Sequence, residues 1–144
     1  MDKKIIPNQS SKLIPFLTFS GQAEEAMNLY RVVFDEPEFV SLVRVEGSGS
    51  AEASGQVPGK VLNGQMKIMG QLVMFMDLAP EYATPFSWAN SLYIACDDES
   101  EFDRLFTGLS EGGTVMMGPE PVFELRKVAW VTDRFNVTWQ LVWA

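Results

Sequence analysis

Residues 15–34 read PFLTFSGQAEEAMNLYRVVF, and this stretch decides the fold. An extended apolar run, Pro15-Phe16-Leu17-Thr18-Phe19, ends at the turn residue Gly21, and Ala23 to Phe34 follow as an amphipathic helix. The same order returns about 77 residues later as SLYIACDDESEFDRLFTGL, residues 91–109. There Ser91 to Cys96 form the extended run, Asp97-Asp98 the turn, and Glu101 to Leu109 the helix. Extended segments follow each copy, and the last pair of each reads as a hairpin. The pattern is βαβββ, twice. A repeat of this length points to two stacked supersecondary modules with a shared cleft. The expected fold is α+β within one domain over residues 1–144, with module 1 at about 13–78 and module 2 at about 90–144.

The helices carry their own signals. Glu24 and Glu25 stand in the first turn of the first, where carboxylates favour the helix dipole. Ala26, Tyr30, Val33 and Phe34 repeat on one face, and Asp35-Glu36-Pro37 stops the helix. In the second, Asp98 with Glu101, or Ser100 with Asp103, supplies a capping box. Phe102, Leu105, Phe106 and Leu109 give a clean apolar stripe, closed by Glu111-Gly112-Gly113.

Working outward, Ile14 to Phe19 read as a buried strand and Glu38 to Val45 as another. Gly47 to Gly59 is a Gly/Ser/Ala-rich loop, read as a plain insertion in preference to a lid. Val61 to Ile68 alternates Leu62, Met66 and Ile68 against the more polar Asn63, Gln65 and Lys67. Met69-Gly70-Gln71 is a turn, and Leu72 to Asp77 returns as strand. Leu78 to Asn90 carries Pro80, Pro85, Tyr82, Phe86 and Trp88, the composition of an ordered strap. Thr114 to Met117 reads as a short strand, and Val122 to Thr132 pairs with Thr138 to Trp143 around Asp133-Arg134-Phe135-Asn136.

Composition excludes several functions. The formal net charge of −8, from 11 Lys and Arg against 19 Asp and Glu, opposes a nucleic-acid or anionic-membrane partner. At 144 residues the chain is long enough to fold without disulfides or a structural metal. Its one cysteine, Cys96, sits in a strand-like run and reads as a buried small hydrophobe. No apolar run of signal-peptide length precedes Pro7 and no stretch reaches the ~20 apolar residues of a membrane span, so the expected location is cytoplasmic. Zero histidines remove Ser-His-Asp and Cys-His catalysis and imidazole metal sites. Neither a GxGxxG turn after a strand nor a Walker A motif is present, so no nucleotide cofactor is expected.

What remains is apolar and amide chemistry. Met66, Met69, Met74 and Met76 lie close in sequence, with Met116 and Met117 further on; such side chains pack cores or line adaptable pockets. Trp88 lies on the strap, and Trp130, Trp139 and Trp143 on the terminal hairpin. These pack a core, anchor a dimer, or stack on an aromatic ligand.

The residues resemble those of a known family. The doubled βαβββ order resembles the vicinal oxygen chelate superfamily, which includes glyoxalase I, extradiol dioxygenases and bleomycin-resistance proteins. More closely, the chain resembles the PhnB-like, 3-demethylubiquinone-9 3-methyltransferase-like branch. Pro15-Phe16-Leu17, the run Gly21 to Ala26 leading to Tyr30, Phe86 to Leu92, Leu109 to Gly113, and Asp133 to Leu141 carry the likeness. In metal-dependent members four strands hold a divalent ion. The first-strand His or Gln position falls near Pro15 here and its second-half counterpart at Ser91. The fourth-strand glutamate falls near Met74, the last-strand glutamate is Gln140, and a third-strand histidine frequent in the branch is Asn63. The resemblance therefore implies that the fold was kept and the metal site lost. No glycine-rich cofactor turn supports the methyltransferase label.

The expectation is a homodimer that binds a small, partly apolar molecule in a metal-free cleft. Asn63, Gln65 and Gln140 would orient a polar group, or bond structurally between sheets; Met74 and Met76 would supply contact area, with Phe86 and Trp88 at the rim. A metal-dependent lyase or dioxygenase relative, or a metal-free enzyme using a carboxylate base, is the alternative. A degenerate interaction module, its cleft filled by its own side chains, is the third reading.

Overall fold

A computed structural model describes residues 5–7, 12–35, 37–47 and 55–144. The chain divides into two units, Met1–Thr84 and Pro85–Ala144. The sequence readings at 48–54, the middle of the glycine-rich loop, lie outside the described residues.

The first unit runs β1 (Phe16–Phe19), α1 (Ala23–Val33), β2 (Glu38–Arg44), β3 (Val61–Ile68) and β4 (Gln71–Asp77). Its sheet order is β1-β4-β3-β2, with β1 parallel to β4 and the remaining pairs antiparallel. A crossover through α1 allows the parallel pair. Gln22 offers α1 no side-chain cap. Asp77, at the end of β4, supplies one instead: its Oδ1 accepts from the Ala23 N–H at 2.9 Å and its Oδ2 from the Val61 N–H at 3.1 Å. One buried carboxylate thus ties the helix start to two strands.

Ala23, Ala26, Met27 and Tyr30 form the buried face of α1. Tyr30 and Phe19 each meet the Phe75 ring at 6.1 Å. Full burial of side chains of this size is worth roughly 1.5–3 kcal/mol each. Gly64 lies beneath Met27, where an added Cβ would sit 2.6 Å from the Met27 Sδ. Phe19, Gly64 and Phe75 therefore mark the helix side of this sheet. Between β3 and β4, Met69 and Gly70 both take positive φ, 53° and 81°, the signature of a type I′ hairpin.

The second unit repeats the plan: β5 (Leu92–Cys96), α2 (Glu99–Ser110), β6 (Thr114–Val122), β7 (Leu125–Thr132) and β8 (Thr138–Trp143). The order is β5-β8-β7-β6, again with only the first pair parallel. The expected α+β fold of two βαβββ modules is what the chain forms. Asp98 caps α2, accepting from the Glu101 N–H at 2.8 Å, and the Glu101 carboxylate returns to the Asp97 N–H at 2.9 Å. Of the two capping boxes in the sequence, Asp98 with Glu101 is the one used. Phe102, Leu105 and Leu109 are the buried stripe. Lys127 on β7 reaches Asp103 at 2.7 Å and Glu99 at 3.0 Å, and these hydrogen bonds raise its pKa.

Three of the boundaries that differ from the sequence reading have a cause in the sheet topology. The first strand begins at Phe16, not Ile14, and Phe16 is 47% exposed, because β1 is an edge strand. The short strand read at Thr114–Met117 continues to Val122 through Pro119 and Pro121. The prolines are accommodated because β6 is the other sheet's edge, where a missing N–H goes unpunished, and its pairing with β7 shifts register. The strand read as Val122–Thr132 accordingly begins at Leu125.

The strap is ordered at both ends. Ala79 N–H donates to the Gly55 carbonyl at 2.8 Å in the first unit, and Asn90 N–H to the Ser87 carbonyl at 3.2 Å in the second. Among the described residues no helix is long and apolar enough to cross a membrane.

Candidate functional site

Register places the candidates. In the first unit Gln65 stands opposite Met74, one residue from the Gly64–Phe75 pair that faces α1. Side chains alternate along a strand, so Asn63, Gln65, Met74 and Met76 all lie on the sheet's helix-free side. Gln65 also pairs with Ser41 on β2, and Met74 with Phe16 on β1. One row, Phe16–Met74–Gln65–Ser41, therefore crosses the whole sheet. Gln65 and Asn63 are 1% and 7% exposed, and the Gln65 Nε2 donates to the Asn63 Oδ1 at 3.0 Å. The four candidates thus share one surface, and its two amides are already bonded to each other.

In the second unit Gln140 stands opposite Tyr93 on β5 and Trp130 on β7, and Trp130 opposite Met117 on β6. The equivalent row is Tyr93–Gln140–Trp130–Met117. Lys127, on the alternate β7 positions, reaches α2, so this row too lies on the helix-free side. Gln140 Nε2 donates to the Ser91 Oγ at 2.7 Å. Trp88 meets Trp130 edge to face, with centroids 6.1 Å apart and planes at 66°. Phe86 is half-buried, while Trp88 and Tyr93 are each 60% exposed. Tyr93 was missed in the sequence; its position, one strand from Gln140, emerges only from the register.

The two rows allow a test of a divalent-ion site. The positions matched to metal ligands hold Pro15, Met74, Ser91 and Gln140, and the neighbouring row residues are Phe16 and Tyr93. A hard or borderline cation needs carboxylate, imidazole or thiolate ligands, and these six positions offer an amide, hydroxyls and a thioether. Among the described residues no three His, Cys, Asp or Glu side chains gather closely enough to hold a metal. These residues do not fit the ion that the superfamily's metal-dependent members hold.

The buried groups that could do acid–base or nucleophilic work are committed elsewhere. Asp77 holds two backbone N–H groups. Asp133 is 1% exposed; its Oδ1 accepts from the Phe135 and Val137 N–H groups at 2.8 and 3.1 Å, and its Oδ2 from the Trp139 Nε1–H at 2.9 Å. Cys96 is buried, and loss of solvation pushes its thiol up to about 11, with Glu101 adding to the rise. It is a poor nucleophile at neutral pH.

A recess of about 360 Å³ lies on the other side of the first unit, lined by Gly21, Glu24, Glu25, Lys60 and Asp77 among others. It contains none of the sequence candidates. Arg44 clamps Glu24 there with two bonds of 2.6 and 2.8 Å, and this hydrogen bonding holds the Glu24 carboxyl below its ordinary range. Lys60 donates to the Gly21 carbonyl at 3.1 Å.

The chain matches the family model described as 3-demethylubiquinone-9 3-methyltransferase over residues 11–142. A solved structure from Bacillus cereus, described as a putative 3-demethylubiquinone-9 3-methyltransferase, PhnB protein, is 35% identical with a TM-score of 0.82, covering 93% of this chain and all of that one. A protein from Pseudomonas aeruginosa is 25% identical with a TM-score of 0.75, covering 93% of this chain and 98% of its own. A glyoxylase/bleomycin resistance protein/dioxygenase domain from Frankia is 10% identical with a TM-score of 0.64, covering 95% and 93%, a likeness of fold alone. No curated protein matches the chain. The extent of the family match and the identity to the Bacillus cereus structure lead to one conclusion: the chain belongs to the PhnB-like, 3-demethylubiquinone-9 3-methyltransferase family, on the glyoxalase/bleomycin-resistance fold.

Proposed function

We propose that the chain binds a small, partly apolar organic molecule without a divalent ion. Asn63, Gln65, Met74 and Met76 on one sheet, and Phe86, Trp88 and Gln140 in the second unit, are the proposed contacts. The observation that carries this reading is the content of the two register rows: amides, thioethers, hydroxyls and aromatic rings, with no carboxylate. Such side chains supply contact area and a few directed hydrogen bonds, the composition of a binding surface. The fold itself does not choose between binding and catalysis, because it hosts both. The family description names methyl transfer. That chemistry needs a methyl-donor cofactor, and the two strand-to-helix turns, Ser20-Gly21-Gln22 and Asp97-Asp98, lack a glycine-rich cradle.

A homodimer belongs to the same proposal and is checked by light scattering on a sizing column. The function itself is tested by thermal shift, with divalent metals in one panel and small organic compounds in another. An organic ligand at 100 times its Kd adds about 2.7 kcal/mol of stability. Stabilisation by organic compounds alone is expected. Stabilisation by Mn, Ni, Zn or Fe alone would reopen lyase or dioxygenase chemistry.

A further inference from the structure

Resting on the binding reading above, we infer that the helix-free face of the second unit is a slot for one planar aromatic molecule that carries a hydroxyl group and no negative charge. Tyr93, Gln140 and Trp130 stand side by side on β5, β8 and β7. Adjacent strands lie about 4.8 Å apart, so the two rings rise from positions roughly 9–10 Å apart with Gln140 between them. An aromatic ring stacked on both sides needs roughly 7 Å between its neighbours, which that separation supplies. Trp88 closes the Trp130 side from above, edge to face at 6.1 Å.

Two rings of this patch are open to solvent. The chain buries Trp139, Tyr30, Phe75 and Phe102 to 2% or less, yet leaves Trp88 and Tyr93 60% open. Between the two rings the floor is the Gln140 side chain, and the Thr132 and Thr138 hydroxyls on this face bond each other at 2.9 Å. Gln140 commits its Nε2 to Ser91, and among the described residues no donor reaches its Oε1, which is left as an acceptor. That favours a ring bearing an O–H donor. The β5, β7 and β8 neighbours on this face, Ala95, Val128, Thr132, Thr138 and Val142, are uncharged, and on β6 Glu120 stands opposite Val128. Arg126, the cation at the end of this β7 series, lies over the Trp143 ring at 4.8 Å. The Glu120 carboxylate would repel an anion, so the occupant carries no negative charge.

The test is a titration of protein carrying ¹⁵N-labelled tryptophan, with the four indole N–H signals assigned by substitution to Phe. The probes are 2-naphthol and its saturated counterpart decahydro-2-naphthol. The Trp88 and Trp130 signals should move saturably with 2-naphthol, while that of Trp139, bonded to Asp133, stays still. Decahydro-2-naphthol should bind at least about tenfold more weakly, and Trp88→Ala and Tyr93→Ala should each weaken 2-naphthol about tenfold, as loss of ring stacking predicts. Trp88 and Tyr93 are exposed, so neither variant threatens folding. Equal binding of the two probes, or indifference to both variants, overturns the slot and leaves the wider binding reading intact. No binding of 2-naphthol also overturns it; the wider reading falls separately, only if no organic compound stabilises the chain in the thermal screen. Trp88 and Trp130 signals that move with protein concentration alone would mean that a second copy covers this face, and the slot would be abandoned.

Discussion

Asp133 is the most connected buried carboxylate of the second unit, and its removal has a calculable consequence. It accepts the Phe135 and Val137 backbone N–H groups and the Trp139 indole N–H, at 2.8, 3.1 and 2.9 Å, from a position 1% exposed. Asp133→Ala leaves three donors without an acceptor. Each buried unsatisfied group costs about 1–3 kcal/mol, a gross loss of about 3–9 kcal/mol, which water entering the turn reduces to about 3–5. Against a total stability of about 5–15 kcal/mol, that is a large fraction. Asp133→Asn separates the parts. Its carbonyl can still serve Phe135 and Val137, but its amide opposes the indole donor, so the expected loss is about 1.5–3 kcal/mol. A cycle with Trp139→Phe should return most of that as coupling between the two residues. The assay is urea unfolding followed by far-ultraviolet circular dichroism, with unchanged denaturant dependence as the check on two-state behaviour. A loss under about 1 kcal/mol for Asp133→Ala would refute the assignment of this carboxylate as the hub of the β7–β8 turn.

Three further outcomes follow from single sites. Burial raises Cys96 from 9.0 to about 11, so at pH 8 its reaction with Ellman's reagent should run at least about 100-fold slower in the native chain than in urea; comparable rates would contradict the burial. Glu24 lies below its ordinary 4.5 because Arg44 bonds it, so the pair stabilises above that pH and the contribution disappears as pH falls through the lower folded value. Thermal midpoints of wild type and Arg44→Ala should therefore converge in acid, and a gap that persists at the lowest pH would point to lost packing instead. Gly113→Ala would put its Cβ onto the Thr132 carbonyl oxygen, a backbone atom that cannot swing aside, so a loss of about 1–3 kcal/mol is expected in urea unfolding and a neutral result would contradict the close approach.

The doubled βαβββ order was legible because each copy opens with an apolar run, a turn and a 3.6-period stripe. The helix stripes were read almost residue for residue: Phe102, Leu105 and Leu109 are buried as expected. Edges were less legible. The strand from Thr114 was read only to Met117, because sequence does not say that β6 has a neighbour on one side only and can run on through Pro119 and Pro121. The alternation of Val61–Ile68 was read as apolar against polar, yet Asn63 and Gln65 are buried with the rest, since two amides that bond each other can leave water together. The candidate residues were chosen by type and by family likeness. Their arrangement depends on register, which joins residues about 66 positions apart, such as Met74 and Gln140, at equivalent points of two sheets. Tyr93 went unnoticed for the same reason: nothing local distinguishes it from a strand residue.

Register also makes the central claim testable. If Phe16–Met74 and Tyr93–Gln140 occupy the places where metal-dependent members of the fold hold an ion, the chain should not bind one. Isothermal titration of chelator-treated protein with Mn²⁺, Ni²⁺, Zn²⁺ and Fe²⁺, run anaerobically for iron, addresses this directly. The account predicts no stoichiometric binding by any of the four. One-to-one binding that Gln140→Ala abolishes would contradict it and would restore the metal to this site.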